Sequence, residues 1–304
     1  ARFATTFDAR KRAGDMVIDL DVDEIGGQYR VGAIFRPNPD GRGWESRRDL
    51  TADQFGSLWQ TNADSGYRLA GFESYRVGSQ QRYAGHWVEN REDLAWASIR
   101  DRTSDQFSAK FDEYERAGMM PIDVDGYATA NGLRYASVWV ANPDGLGWRL
   151  RRDMTAEQYE QYFAQYRDEG FRVHTIESYR DGASQRYAAI WIENADHRGW
   201  YGYRDMDATG FGNRWNRMRD MGFRLDDYEK YDTASGPRYG GVWRQNDDRF
   251  EWALRTQVDG MAEEHLDDFD VPGISVAITY QGEIVYQRGF GHQDVDAGVW
   301  MHGN

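Results

Sequence analysis

Cysteine is absent from this 304-residue chain, which excludes disulfides, thiolate metal ligands and a cysteine nucleophile. No apolar run approaches the roughly 18 residues that a membrane-spanning helix needs. Basic clusters are missing as well. The net charge is −14, and phosphate backbones are bound by Lys/Arg-rich surfaces, so nucleic acid is excluded as a partner. Histidine is sparse and never occurs at His-x-x-x-His spacing: His86, His174, His197, His265, His292 and His302 are scattered, so neither a zinc site nor another cofactor is expected. The first residue is not Met; Ala1-Arg2-Phe3 fits removal of a signal peptide or a tag. Aromatic residues, by contrast, make up 15% of the chain, which supplies a packed core and argues against disorder.

Comparing the chain with itself reveals its organisation. Trp44, Trp96, Trp148, Trp200 and Trp252 are each 52 residues apart. Arg30, Arg82, Arg134, Arg186 and Arg238 keep the same spacing, as do Asn38 to Asn246 and Gly14 to Gly222. Four series in one register define five repeats, at about 1–49, 50–101, 102–153, 154–205 and 206–257. Thr51-Ala-Asp-Gln54, Thr103-Ser-Asp-Gln106 and Thr155-Ala-Glu-Gln158 predict capping boxes that open helices. Phe107, Phe111 and Tyr114 continue one such helix as a core-facing stripe, and Gly66, Gly118, Gly170 and Gly222 suit left-handed ends.

Strand patterns follow each helix. "RYASVWVAN", "RYAAIWIEN" and "RYGGVWRQN" are apolar on both faces, which predicts a middle strand covered on both sides. Turns such as Asn142-Pro143-Asp144-Gly145 lead to a third segment like "WRLRRD". The fold class is therefore α+β, with each repeat one helix plus a three-stranded antiparallel meander. Neighbours must pack on one another, as a ring or curved array rather than a four-stranded-blade propeller.

Repetition on a curved surface suits an extended ligand. Trp87, Trp139, Trp191 and Trp243 fit the core between units, whereas Trp44, Trp96, Trp148, Trp200 and Trp252 open the third strand just after a turn and are the candidate ligand-binding residues. The arginines at 82, 134, 186 and 238 are expected to pair with Asp49, Asp101, Asp153 and Asp205 within the repeats. "NPDGRGW" and "NPDGLGW" lack the closing glutamate and the oxygen count of a calcium loop, and read as plain turns.

From Val258 the rhythm stops. Val258, Met261, Ala262, His265, Leu266 and Phe269 form a helical stripe, and "ISVAITYQGEIVYQRGFG" reads as a hairpin turning at Gln281-Gly282. This helix, "VPGISVAITYQGEIVYQRGFG" and the Asp-containing loop after it resemble the start of serine hydrolases of the β-lactamase and penicillin-binding-protein superfamily, over 258–304. The repeats resemble the bacterial tandem-repeat module that precedes such domains, a layout similar to the fungal polyglycine hydrolases. The resemblance implies an exported protein, secreted or at the cell surface, with a serine acyl-enzyme mechanism. It also implies a Ser-x-x-Lys nucleophile motif, which this chain lacks: Lys110 and Lys230 are in no such motif and Ser275 sits inside a strand. No catalytic residue is assigned. The repeats are thus expected to bind or position a polymeric peptide or glycan for a hydrolase acting on an amide or ester. The rest of that hydrolase, in the same chain or another, is then a partner, and a lone helix and hairpin must dock on the repeats or pair with another chain. The alternative is a non-catalytic scaffold that binds an extended peptide or glycan.

Overall fold

The computed structural model describes residues 2–25, 28–233, 235–246, 252–296, 299–301 and 303. The chain opens with α1 (Arg2–Arg12) and the hairpin β1 (Asp15–Ile25) and β2 (Gln28–Pro37). Four units of one design follow, each a strand, a helix and a hairpin. The first holds β3 (Trp44–Leu50), α2 (Ala52–Asp64), β4 (Tyr67–Val77) and β5 (Gln80–Glu89). The second holds β6 (Trp96–Arg102), α3 (Ser104–Arg116), β7 (Met119–Thr129) and β8 (Gly132–Ala141). The third holds β9 (Trp148–Met154), α4 (Ala156–Asp168), β10 (Phe171–Asp181) and β11 (Ser184–Glu193). The fourth holds β12 (Trp200–Met206), α5 (Ala208–Asp220), β13 (Phe223–Thr233) and β14 (Gly236–Gln245). The tail forms α6 (Arg255–Phe269) and a sheet of β15 (Gly273–Tyr280), β16 (Glu283–Asp294) and β17 (Val299–Trp300).

Local sequence sets the helix ends. Thr51, Thr103 and Thr155 each accept from the N3 amide while Gln54, Gln106 and Gln158 return the bond, completing three capping boxes. Asp207 caps α5 through the Gly210 amide at 2.7 Å. Gly66, Gly118, Gly170 and Gly222 follow the helix ends with φ of 71 to 87°, the left-handed region that a Cβ disfavours. The recurring Asn then meets the recurring Gly: Asn90 N donates to Gly66 O at 2.8 Å and Asn194 N to Gly170 O at 3.0 Å. The Asn side chain clamps the turn itself. Asn142 Nδ2 donates to Leu146 O at 2.9 Å, and its Oδ1 accepts from Leu146 N at 3.0 Å. These turns are hydrogen-bonded by their own side chains, as plain turns require.

The sheets of the four units are three-stranded and antiparallel, but they are not meanders. Strand orders are β3-β5-β4, β6-β8-β7, β9-β11-β10 and β12-β14-β13. Each central strand pairs with its hairpin partner on one edge. On the other edge it takes the strand that precedes the helix, so a third segment such as β6 completes the sheet of the next hairpin. The reason is the turn after the hairpin. Clamped by its Asn, it carries the chain away from β5 rather than reversing it, and β5 is instead closed by β3, with Gly43 O accepting from Glu89 N at 2.8 Å. The central strands are covered on both faces as their pattern required, and Trp87, Trp139, Trp191 and Trp243 are at most 1% exposed.

The edge strands β4, β7, β10 and β13 carry a bulge at the same place, between Leu69 and Gly71 and its equivalents, and β1 bulges between Val17 and Asp19. These five strands pack side by side in cyclic order, β1 beside β4, β4 beside β7, β7 beside β10, β10 beside β13, and β13 back beside β1. The sheets remain separate, so no barrel is formed.

The tail docks on this array. Arg198 bridges to Arg288, and the Gln245 side-chain amide faces the Gln287 backbone, where the orientation that satisfies both donates to Gln287 O at 3.0 Å and accepts from Gln287 N at 3.2 Å. Trp300 covers Gly170 and stacks on His292 at 4.5 Å. Within the tail, Val258, Ala262 and Leu266 pack on Tyr286 and Phe290. Met261 and Phe269, placed in the same stripe by the sequence, are 68% and 67% exposed. The i, i+4, i+8 line alone meets the sheet, because a two-strand platform is narrower than a full helical face.

Candidate functional site

The five candidate tryptophans share one environment. Trp44 packs on Phe7 at 5.6 Å, Trp96 on Trp59 at 5.0 Å, Trp148 on Phe111 at 5.5 Å, and Trp200 on Phe163 at 5.5 Å. Trp252 lies against Tyr286 of the tail at 6.4 Å. Each ring thus has an aromatic partner. Trp200 is 4% exposed and the other four are half-buried. The structure does not bring the five together.

The Arg–Asp pairing differs from the expected one. Arg82 Nε lies 3.5 Å from Asp49 Oδ1, an aspartate of the preceding repeat as the sequence divides them, and among the described residues no ion pair joins Arg134, Arg186 or Arg238 to an aspartate of the series. Asp101, Asp153 and Asp205 pair instead with the preceding Arg100, Arg152 and Arg204. They also accept from two tyrosines. Tyr187 and Tyr231 hydroxyls donate to Asp205 Oδ1 at 2.8 and 2.7 Å, and Asp205 N donates to the Tyr231 hydroxyl at 2.9 Å. The tyrosine wins over the arginine beside it because a strand points successive side chains to opposite faces. The arginine of the pair then caps the ring, Arg204 lying 4.5 Å over Tyr187 and Arg152 4.3 Å over Tyr135. Burial, then the bond to Asp205, pushes Tyr187 up to about 12. Each aspartate sits at φ of 57 to 61°, a left-handed turn that Asp tolerates better than most residues. Because Tyr187 belongs to the third unit and Tyr231 to the fourth, the node ties neighbours together.

The second inter-unit network lies where the five edge strands meet, and the sequence reading missed it. Asp21, Glu73, Asp125, Glu177 and Glu229 recur every 52 residues and all line one cavity of about 460 Å³. Two residues earlier on each strand, Asp19, Asp123 and Asp227 alternate with Gly71 and Thr175. Outward amides of an edge strand are unpaired within its own sheet, and a carboxylate of the next strand accepts them. Phe72 N donates to Asp123 Oδ2 at 2.8 Å, Ile176 N to Asp227 Oδ2 at 3.0 Å, and Tyr228 N to Asp19 Oδ2 at 3.0 Å. In the cavity-lining series Ser178 N donates to Glu229 Oε1 at 3.2 Å and Lys230 N to Asp21 Oδ1 at 3.4 Å.

Crowding these acids in one place raises their pKa values. Burial dominates at Asp123 and Asp227, which are both pushed to about 7 despite the amides they accept. Burial, then repulsion from Asp125, holds Glu73 well above the ordinary carboxylate range. Glu177 rises through burial and Glu229, and Asp125 through burial and Asp123. The buried histidines move the other way: burial lowers His86 to about 4 and His174 to about 3, leaving both neutral. Among the described residues no three His, Asp or Glu side chains come together as metal ligands. Ser275 is on the exposed face of β15.

Residues 41–90, 93–142, 145–194 and 197–246 each match the polyglycine hydrolase-like structural repeat. Every matched segment contains one strand–helix–hairpin unit, the grouping that the sheet pairing selects. No curated protein matches the chain. On these four repeats the chain belongs to the polyglycine hydrolase-like structural repeat family.

Proposed function

We propose that the repeats are the substrate-positioning region of an exported hydrolase, and that 258–304 begin a β-lactamase-like serine hydrolase domain acting on an amide or ester. In this reading α1, β1 and β2 belong to a fifth repeat, and the five units form a ring beside which the hydrolase domain stands. The repeat family's name supports a link to hydrolases acting on glycine-rich peptide. The observation that supports the reading is the seating of the tail on the repeats through Gln245, Arg198 and Trp300, a contact that would orient a domain built on the tail. The substrate is a polymeric peptide or glycan, and the accessible parts of the half-buried Trp44, Trp96, Trp148 and Trp252 would offer it repeated contacts; Trp200 contributes through packing.

Reading the fifteen or so codons that follow Asn304 tests the catalytic half. A Ser-x-x-Lys motif there supports it, and a stop codon overturns it in favour of a scaffold that binds without catalysis. For the binding half, the chain is titrated with a glycine-rich peptide and with a glycan array. Trp148→Ala is expected to weaken binding with the fold retained, whereas unchanged binding after Ala replacement of all four half-buried tryptophans removes them as ligand contacts.

A further inference from the structure

We propose that the cavity between α2 and β6 binds a carboxylate carried on an apolar body, and that a copy one repeat earlier does the same. This goes beyond the positioning role and stands without it. Each arginine that caps a tyrosine ring also reaches back to the helix of the preceding unit. Arg100 Nη2 donates to Ala52 O at 2.9 Å, Arg152 Nη2 to Ser104 O at 3.1 Å, and Arg204 Nη2 to Ala156 O at 3.0 Å. Two of the three find a further oxygen one turn along that helix. Arg152 Nη2 donates to Ser108 Oγ at 3.1 Å, and Arg204 Nη2 to Glu160 Oε1 at 2.7 Å. The equivalent residue on α2 is Gly56, which has no side chain to offer. A cavity of about 430 Å³ lies there instead, lined by Gly56 and Arg100.

The rest of the wall suits an apolar body. Phe55, Trp59, Leu69, Phe72 and Val138 line the cavity, and Ser98 supplies a second polar group. Trp59 Nε1 donates to Ser98 Oγ at 2.9 Å, and among the described residues the serine proton goes to no protein acceptor. Ser98 and Arg100 are two apart on β6 and share a face, so both can donate to one carboxylate. Asp101 also borders the space, but Arg100 at 2.9 Å and the hydroxyls of Tyr83 and Tyr127 already hold its carboxylate. Arg100 keeps 27% of its side-chain surface, so a ligand can reach it.

Later junctions fill this place with protein. Leu150 of β9 stands where Ser98 does and is 5% exposed in the core. At Gly202 of β12 the Phe163 ring closes in, 3.1 Å from where a Cβ would lie. One repeat earlier, by contrast, the arrangement recurs. Ala4, Ser46 and Arg48 take the places of Gly56, Ser98 and Arg100 around a cavity of about 330 Å³, with Phe3 and Phe7 beside them. A small helix residue, a serine and an arginine thus occur together twice, each time at a cavity many times the roughly 30 Å³ of one water. The bound acid takes the place that Glu160 holds on α4, and its apolar chain the place of Leu150.

A peptide carboxyl terminus and a free aryl acid both supply this group. Calorimetric titration of the whole chain with N-acetyl-phenylalanine and with phenylpropionate separates the two sources. N-acetyl-phenylalanine amide, which lacks the charge, is the opposing arm. Binding of either acid at two sites per chain, with none of the amide, is the expected result. Gly56→Glu supplies the carboxylate that α4 carries as Glu160. Its Cβ would meet only Arg100, at 3.6 Å, and glutamate favours a helix over glycine. The variant is therefore expected to melt at or above the wild-type temperature while losing one of the two sites. Ser98→Leu puts a leucine in the cavity, as at Leu150, and is expected to lose the same site; Gly56→Glu joined to Ser46→Leu loses both. No binding of either acid, equal binding of the amide, or two sites retained in folded Gly56→Glu would each overturn the proposal.

Discussion

Replacing Asp123 by asparagine removes the carboxylate that most of the other buried acids feel, since Asp19, Glu73, Asp125, Glu177 and Asp227 are all raised in part by it. Its own pKa is pushed from 3.8 to about 7 by burial, against the Phe72 amide it accepts at 2.8 Å. The folded protein therefore holds a proton that the unfolded chain releases near 3.8. Stability contributed by this group is complete below that value and is lost as pH rises through about 7. The span between the two values corresponds to about 4 kcal/mol at most, at about 1.4 kcal/mol per pH unit. Asp227 titrates in the same window, so these two groups together contribute about 2.7 kcal/mol per pH unit to the wild-type slope where both act. An asparagine carbonyl still accepts from Phe72 and carries no charge, so Asp123→Asn makes the slope shallower by about 1.4 kcal/mol per pH unit and lowers the pKa of Asp227 as well. Urea midpoints of both proteins from about pH 5 to about pH 8 measure this directly. Parallel curves for the two proteins would refute the reasoning, as would a wild type that gains stability as pH rises.

Tyr179→Phe deletes the hydroxyl that donates to Asp153 Oδ1 at 3.1 Å and accepts from Asp153 N at 2.8 Å, so it is expected to cost about 1–3 kcal/mol in chemical denaturation. A cost below about 0.5 kcal/mol would show that the node contributes nothing to cohesion. A Cβ at Gly126 would lie 2.4 to 2.6 Å from Tyr179 ring atoms, so Gly126→Ala loses about 1–3 kcal/mol by overpacking. Gly212→Ala, in open space on α5, is neutral or gains up to about 1 kcal/mol; thermal melts of the pair that fail to diverge contradict the packing. Trp300→Ala uncovers Gly170 and removes the stack on His292, so amide exchange in Gly273–Asp294 quickens while that in β11 is unchanged. Exchange that does not change would mean that Trp300 has no part in docking the tail.

The 52-residue period, the capping boxes, the left-handed glycines and the buried Trp87 series were legible because each has a local chemical signature. The phase of the sheets was not. Every window one period long contains one helix and three strands wherever it is cut, so periodicity cannot say which third strand closes which hairpin. Pairing is seen only in the folded chain, where the strand before each helix already occupies the free edge of the central strand. The acidic axis was present in the letters as a carboxylate at 21, 73, 125, 177 and 229. A carboxylate in a strand ordinarily marks the solvent face, and only the packing of five edge strands turns that face inward. The Asp101, Asp153 and Asp205 nodes were half-read: their recurrence pointed to a structural role, but the partner proved to be tyrosine.

The return of β13 to β1 makes assembly depend on the far end of the chain. Neighbouring edge strands are stapled by bonds 51 residues apart, such as Phe72 to Asp123, and these can form as soon as two units exist. The last staple, Tyr228 N to Asp19, joins residues 209 apart, and Arg36 reaches Asp226 at 2.5 Å across 190. By loop-closure entropy the longer span costs only about 1 kcal/mol more, but it delays the final contact until nearly all the rest is in place. An open stack of repeats frays from its two ends. A stack whose first and last strands hold each other has no such ends, and loses its order only by breaking somewhere in the circle.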